Sequence, residues 1–274
     1  MPKLTRSYIE NPEVQPDGSV HFACSGDIEE WPWLALPPQH PLVIQTQNFW
    51  ASVGATEALQ SRDESKWSAL TWTRWQLGDK DAGRAARGVF SRSGGEGNLT
   101  FSIALLDASE RLIAELTGKG VVFRNRNFEE WRKGSKADAF KVAVPPADFT
   151  YASREALGLS QAEPPLIAPM TTVDGAVGTA ALVTKQNGLM PGHPFFSGSG
   201  DHVNAPHLAE LSRQAACLCT DNPALHVQFG EMDMHRYIEL GTPIDLKVTQ
   251  QADDEIRLNF SQLGKSCAAT ILRW

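Results

Sequence analysis

Between residues 193 and 218 the chain gathers side chains able to move protons. Asp201, His202 and Asn204 follow a loop of small residues, and Glu210, Arg213 and Gln214 fall on a helix that the spacing predicts over 205–219. Asn204 suits an N-cap, and Pro206 suits a first turn, where the backbone N–H has no helical partner to lose. Leu208, Leu211, Ala215 and Leu218 recur at steps of 3, 4 and 3, so they form one apolar stripe and leave Glu210, Arg213, Gln214 and Cys217 on another face. A carboxylate near a helix start, beside a loop that carries His, is an arrangement suited to general acid–base chemistry.

Each residue has two readings, and both stay open at this level. Glu210 either exchanges protons, its pKa raised by burial, or pairs with Arg213 three residues on. His202 either shuttles a proton or orients a bound substrate, or is a loop residue bonded to Asp201 or to backbone, and Asp201 either orients His202 or caps its loop. Asn204 is a helix cap that could also shape an oxyanion site; Arg213 and Gln214 could bond substrate oxygens, or Arg213 is a solvated or paired surface residue.

Composition removes several function classes. A formal charge of −7 over 274 residues provides no broad basic surface for nucleic acid, and no apolar run is long enough to span a bilayer. The N-terminus lacks the apolar core of a signal peptide, and the four cysteines form no CxxC pair, so a cytoplasmic protein with reduced thiols is expected. His202 and His207 are five residues apart, which does not place two ligands on one helix face; with no HExxH pattern, no metal is expected.

The elements that must position these residues occur twice. A turn at Asp17-Gly18 flanked by strand leads through His40-Pro41 to a helix over about 42–59 and then strands near 68–77, 83–92, 98–107 and 111–124. In the third of these, Leu99, Phe101, Ile103 and Leu105 alternate with small or polar residues, the pattern of an antiparallel strand with one dry face. Asp174-Gly175 and His193-Pro194 repeat the two markers at nearly one separation, and the 205–219 helix follows. Four more strands are expected on Leu225/Val227/Phe229, Ile244/Leu246/Val248, Ile256/Leu258/Phe260 and Cys267/Ala269/Ile271. The Pro-rich stretch between the halves reads as a long connection with one short helix around 152–159.

This order resembles the hotdog fold, and its repetition resembles a double hotdog: an α+β chain with two antiparallel sheets, each wrapped around a long central helix. Asp201-His202-Val203, followed by Glu210 and Arg213-Gln214-Ala215, resembles the repeat of the A-factor synthase (AfsA-like) hotdog family. Asn204-Ala205-Pro206 stands where that family has a Pro-Gly turn. His202-Val203-Asn204-Ala205 is similar to the Gly-His-Val-Asn-Asn run of acyl-CoA thioesterases, with Gly198 near the place of their Asp. The spacing to Glu210 is similar to that of hydroxyacyl dehydratases, with Phe196 in the place of their His.

The resemblance implies an acyl thioester substrate, on CoA or acyl carrier protein, held in a tunnel beside the second central helix. It implies dehydration, isomerisation, acyl transfer or condensation of a β-oxo or β-hydroxy acyl group, as in polyketide or fatty-acid-like secondary metabolism. An acyl-CoA thioesterase is one alternative, and a non-catalytic hotdog that binds an acyl chain or carrier is another. Catalytic roles are expected for Glu210, His202 and Asp201 and substrate contacts for Asn204, Arg213, Gln214 and Phe196, with no cofactor. Leu42-Val43-Ile44-Gln45 replaces the loop in the first half. An N-terminal hotdog with a degenerate site is therefore expected over 1–132, a linker over 133–168, and the active hotdog over 169–274. A homodimer stays open.

Overall fold

The Asp17-Gly18 turn closes a hairpin between β1 (Ile9–Val14) and β2 (Val20–Cys24), with Gly18 at a φ of 82° that glycine alone adopts freely. This is the first of two units, Met1–Phe128 and Glu129–Trp274, in a computed structural model that describes residues 7–61, 67–93, 99–123, 128–161, 163–185, 187 and 202–274. Helix α1 (Pro41–Ala58) starts where expected: His40 caps it, its Nδ1 accepting the Leu42 N–H at 3.3 Å, and Pro41 fills the first turn.

Residues 42–48 of α1 are buried on every side, none more than 3% exposed, although Gln45, Thr46, Gln47 and Asn48 are polar. Buried polar groups need partners. Asn48 donates to Thr73 Oγ1 at 3.2 Å, Gln47 to the Tyr8 hydroxyl at 3.0 Å, and Thr46 to the Leu42 carbonyl at 2.7 Å. The strands β3 (Trp67–Leu77), β4 (Ala85–Ser93), β5 (Leu99–Asp107) and β6 (Leu112–Phe123) follow, and the order across the sheet is β1-β2-β4-β5-β6-β3. Phe101, Ile103 and Leu105 point into the core, as their alternation predicts.

The second unit takes in nearly all of α2 (Phe128–Lys141), most of which lies in the stretch expected as a connection. Thr242 Oγ1 donates to the Ala139 carbonyl at 2.8 Å and the Val144 N–H to the Gly241 carbonyl at 2.8 Å, tying the stretch expected as linker into this unit. The short helix expected around 152–159 is only a turn, ended by Gly158 at a φ of 61°, where a Cβ would strike the Pro223 carbonyl. A hairpin of β7 (Thr171–Val173) and β8 (Ala176–Ala181) comes next, then the two-residue β9 (His202–Val203) and α3 (Ala205–Thr220). The remaining strands are β10 (Phe229–Met234), β11 (Ile238–Glu239), β12 (Ile244–Gln251), β13 (Glu255–Gln262) and β14 (Lys265–Arg273).

The strand expected on Leu225, Val227 and Phe229 begins only at Phe229; Leu225 and Val227 are buried as the alternation predicts, but in a turn-bearing approach. The strand order of this unit is β7-β8-β12-β13-β14-β10, the same permutation as in the first unit. α3 packs on β10 and β14, and β9 pairs with β11 as a separate antiparallel ribbon. No helix among the described residues is long and apolar enough to cross a membrane.

Candidate active site

Glu210, Arg213 and Gln214 come together on one face of α3, and all three are buried. Arg213 grips Glu210 with two donors, Nη2 at 2.8 Å from Oε1 and Nε at 3.0 Å from Oε2, while Gln214 Nε2 adds a third at 2.8 Å. The remaining capacity is turned toward the 157–166 segment. Arg213 reaches the Leu157 carbonyl at 3.3 Å and Glu163 Oε1 at 3.4 Å, and Gln214 bonds the Pro164 carbonyl and the Leu166 N–H at 3.0 and 2.9 Å. Burial works against the Arg213 charge, but Glu210 and Glu163 outweigh it and hold the guanidinium above its usual pKa. Of the two sequence-level readings of Glu210, its side chain adopts the paired one.

His202 is in different company. It lies on β9, two residues ahead of the cap of α3, directly opposite Glu239 on β11, so their side chains leave the ribbon on the same side. Tyr237, two residues before Glu239, meets the His202 ring edge to face, centroids 4.8 Å apart at 82°. Arg132 of α2 binds both Glu239 oxygens, Nε to Oε1 at 3.1 Å and Nη2 to Oε2, and its guanidinium carbon lies 4.9 Å over the Tyr237 ring. Arg132, His202 and Glu239 are all buried. Gln262 clamps the backbone here, accepting the Glu239 N–H at 2.8 Å and donating to the Glu239 and Thr242 carbonyls at 3.0 and 3.1 Å.

Asn204 is the N-cap of α3 as expected, in extended conformation, and accepts the Leu208 N–H on its carbonyl at 3.0 Å. His207 reaches back, its Nδ1 accepting the Asn204 N–H at 3.3 Å. The helix N-terminus carries partial positive charge next to His202. Asp201 and Phe196 lie outside the described residues. The structure thus gathers Glu210, Arg213 and Gln214 into one cluster and puts His202 in another, with Arg132, Tyr237, Glu239 and Gln262, which the sequence did not suggest. Glu239 does carry one readable signal: an acidic residue sits among the apolar residues of Tyr237-Ile238-Glu239-Leu240.

No family model matches the sequence, and no curated protein matches it. Among solved structures, an acyl-ACP thioesterase from Bacteroides thetaiotaomicron is similar at a TM-score of 0.56 and 10% identity, over 93% of this chain and 96% of that one. A provisional oleoyl thioesterase from Lactobacillus plantarum is similar at 0.53 and 9% identity, over 93% of both chains. A provisional thioesterase II from Thermobifida fusca follows at 0.51 and 10%, over 96% of this chain and 94% of that one. At such identities the likeness establishes the fold, a hotdog-type α+β arrangement of antiparallel strands with long helices.

Proposed function

We propose that this protein hydrolyses acyl thioesters, with His202 activating water. The observation that carries this reading is the cross-strand pairing of His202 with Glu239 immediately ahead of the α3 N-terminus. An imidazole beside a carboxylate can take a proton from water as its oxygen attacks the thioester carbonyl carbon. Helix-terminal N–H groups stabilise the charge that develops on the carbonyl oxygen. The C–S bond then breaks, and the leaving thiolate takes the proton back from the imidazolium. The acyl-ACP thioesterase of the same fold supports an acyl chain on a carrier protein as the substrate class.

Elimination of water is supported less well. Phe196 occupies the place of the dehydratase His, and Glu210 is engaged by Arg213 and Gln214. On this reading Glu210, Arg213 and Gln214 hold the 157–166 segment on α3 rather than touch substrate. Gly198 in the place of the thioesterase Asp favours a second reading, an acyl-binding module without turnover.

The repeated strand order supports a double hotdog, with a hotdog repeat in each unit. Kinship with the A-factor synthase family rests on Asp201-His202-Val203, Glu210 and Arg213-Gln214-Ala215 alone. Four free thiols support a reducing cytoplasm, and a chain that carries both repeats needs no second copy to supply one.

The test is mass spectrometry of the protein with a panel of acyl-CoA and acyl-carrier thioesters, including β-hydroxy and β-oxo chains. Release of free acid and thiol, lowered roughly 10²- to 10⁴-fold in His202→Ala and Glu239→Gln, is the expected result. Loss of water from a β-hydroxy chain would replace hydrolysis with elimination. An unchanged panel with retained ligand would leave the binding module.

A further inference from the structure

Arg132 is the feature of the second unit that hydrolysis by His202 does not explain. It comes from α2, where Ala139 is the other buried residue among the described side chains, and Arg132 is only 2% exposed. An arginine so buried needs both a counter-charge and a geometric reason to be there. Here it has a bidentate grip on Glu239 and a cation–π contact with Tyr237. Both partners face His202, Glu239 across the ribbon and Tyr237 edge to face.

We propose that Arg132 is a positioning residue for the His202 site, fixing the Glu239 carboxylate and the Tyr237 ring against the imidazole and offsetting the carboxylate's charge there. The inference rests on the reading of His202 as the reacting group. A lone carboxylate beside His202 would favour the imidazolium, which cannot accept a proton from water. The guanidinium at the same carboxylate opposes that bias, while its planar fork fixes both oxygens. The segment joining the repeats thereby contributes to the chemistry of the second one.

Other charged and titratable groups surround this ribbon. His207 and the Glu210–Arg213 pair lie on α3; Cys267 interacts electrostatically with Glu239 and also with Arg236 and Lys265; and Asp201 adjoins His202 in the chain. None of them is altered in the test, which compares variants at Arg132 and Glu239 and uses His202→Gln only to identify the resonance.

The test follows the His202 imidazole resonance by NMR through a pH titration, identified by its loss in His202→Gln. Arg132→Met should raise the midpoint and Glu239→Gln should lower it, with the double variant returning toward wild type. Loss of packing alone gives no such opposition of sign. Arg132→Lys, which keeps the charge but not the fork, should hold the midpoint while lowering kcat rather than raising KM. If Arg132→Met does not fold, the Glu239→Gln shift and the Arg132→Lys pair of readouts still decide. Midpoints that stay within about 0.2 unit, or move the same way in both single variants, overturn the proposal. Opposite shifts in a protein that turns over no thioester would sink the hydrolase reading and leave this one standing.

Discussion

Arg213 holds Glu210 across one turn of α3 by two parallel hydrogen bonds, and neither side chain reaches solvent appreciably. Breaking such a pair strands a buried charge, which typically costs about 3–5 kcal/mol. Arg213→Met leaves both Glu210 and Glu163 without this counter-charge, so its urea midpoint should fall by a corresponding amount. Glu210→Gln keeps the shape and should retain turnover to within about tenfold, a change of about 1.4 kcal/mol at the barrier. Abolished turnover in a fully stable Glu210→Gln protein would restore Glu210 as the acid or base.

Gln262 replaces a missing strand partner at Glu239, bonding both its N–H and its carbonyl. In Gln262→Ala, buried backbone groups lose their partners, at about 1–3 kcal/mol for each group left unsatisfied. The Glu239 amide should lose hydrogen-exchange protection while amides in β5 and β6 keep theirs. Uniform loss across both units would point to global destabilisation instead.

Asp107, the last residue of β5, accepts the backbone N–H groups of Gly83, Ser109 and Arg111 at 2.8, 2.8 and 3.0 Å. These bonds, the one from Gly83 foremost, hold its carboxyl down to about 2. A depressed carboxylate stabilises the fold above its unfolded pKa and loses that contribution as pH falls through the folded value. Asp107→Asn should therefore be less stable than wild type at neutral pH, with the gap closing between about pH 4 and pH 2. A gap unchanged at pH 2 would contradict the assignment.

Burial pushes every cysteine thiol up, Cys24 to about 12, Cys219 to about 11, and Cys217 and Cys267 in the same direction. The thiolate is the reactive form. Less than one equivalent should react with Ellman's reagent in the native protein at pH 7.5, against four in guanidinium. Fast modification of a native cysteine at that pH would contradict this burial. The same silence makes released CoA directly visible in a hydrolysis assay.

Two periodicities made most of the fold legible: the step of two that marks β5 with Phe101, Ile103 and Leu105, and the capped start of each central helix at His40-Pro41 and Asn204-Ala205-Pro206. The helix α2 was not legible, because the buried residues identified along it are Arg132 and Ala139 and an arginine adds nothing to an apolar stripe. The Glu210 cluster could be read from spacing, since its members lie within one turn of each other. The His202 cluster could not. Glu239 meets Arg132 across 107 positions of sequence, through a two-residue ribbon too short to leave a pattern.

The strand order has a consequence for the order of assembly. In each unit the strand after the central helix joins the far side of the sheet, β3 through β6 and β10 through β14. Neither can dock within its unit until the final strand of that unit exists. For the second unit, β10 must wait for residues 265–273, so closure of its sheet is coupled to the last of its strands to leave the ribosome. Loop closure over such separations is slow, and until then the edge of β13 that receives β14 stays unpaired. A hairpin-first, β14-last sequence of events is therefore built into the connectivity, and truncation just before β14 should yield an aggregating chain rather than a smaller folded one.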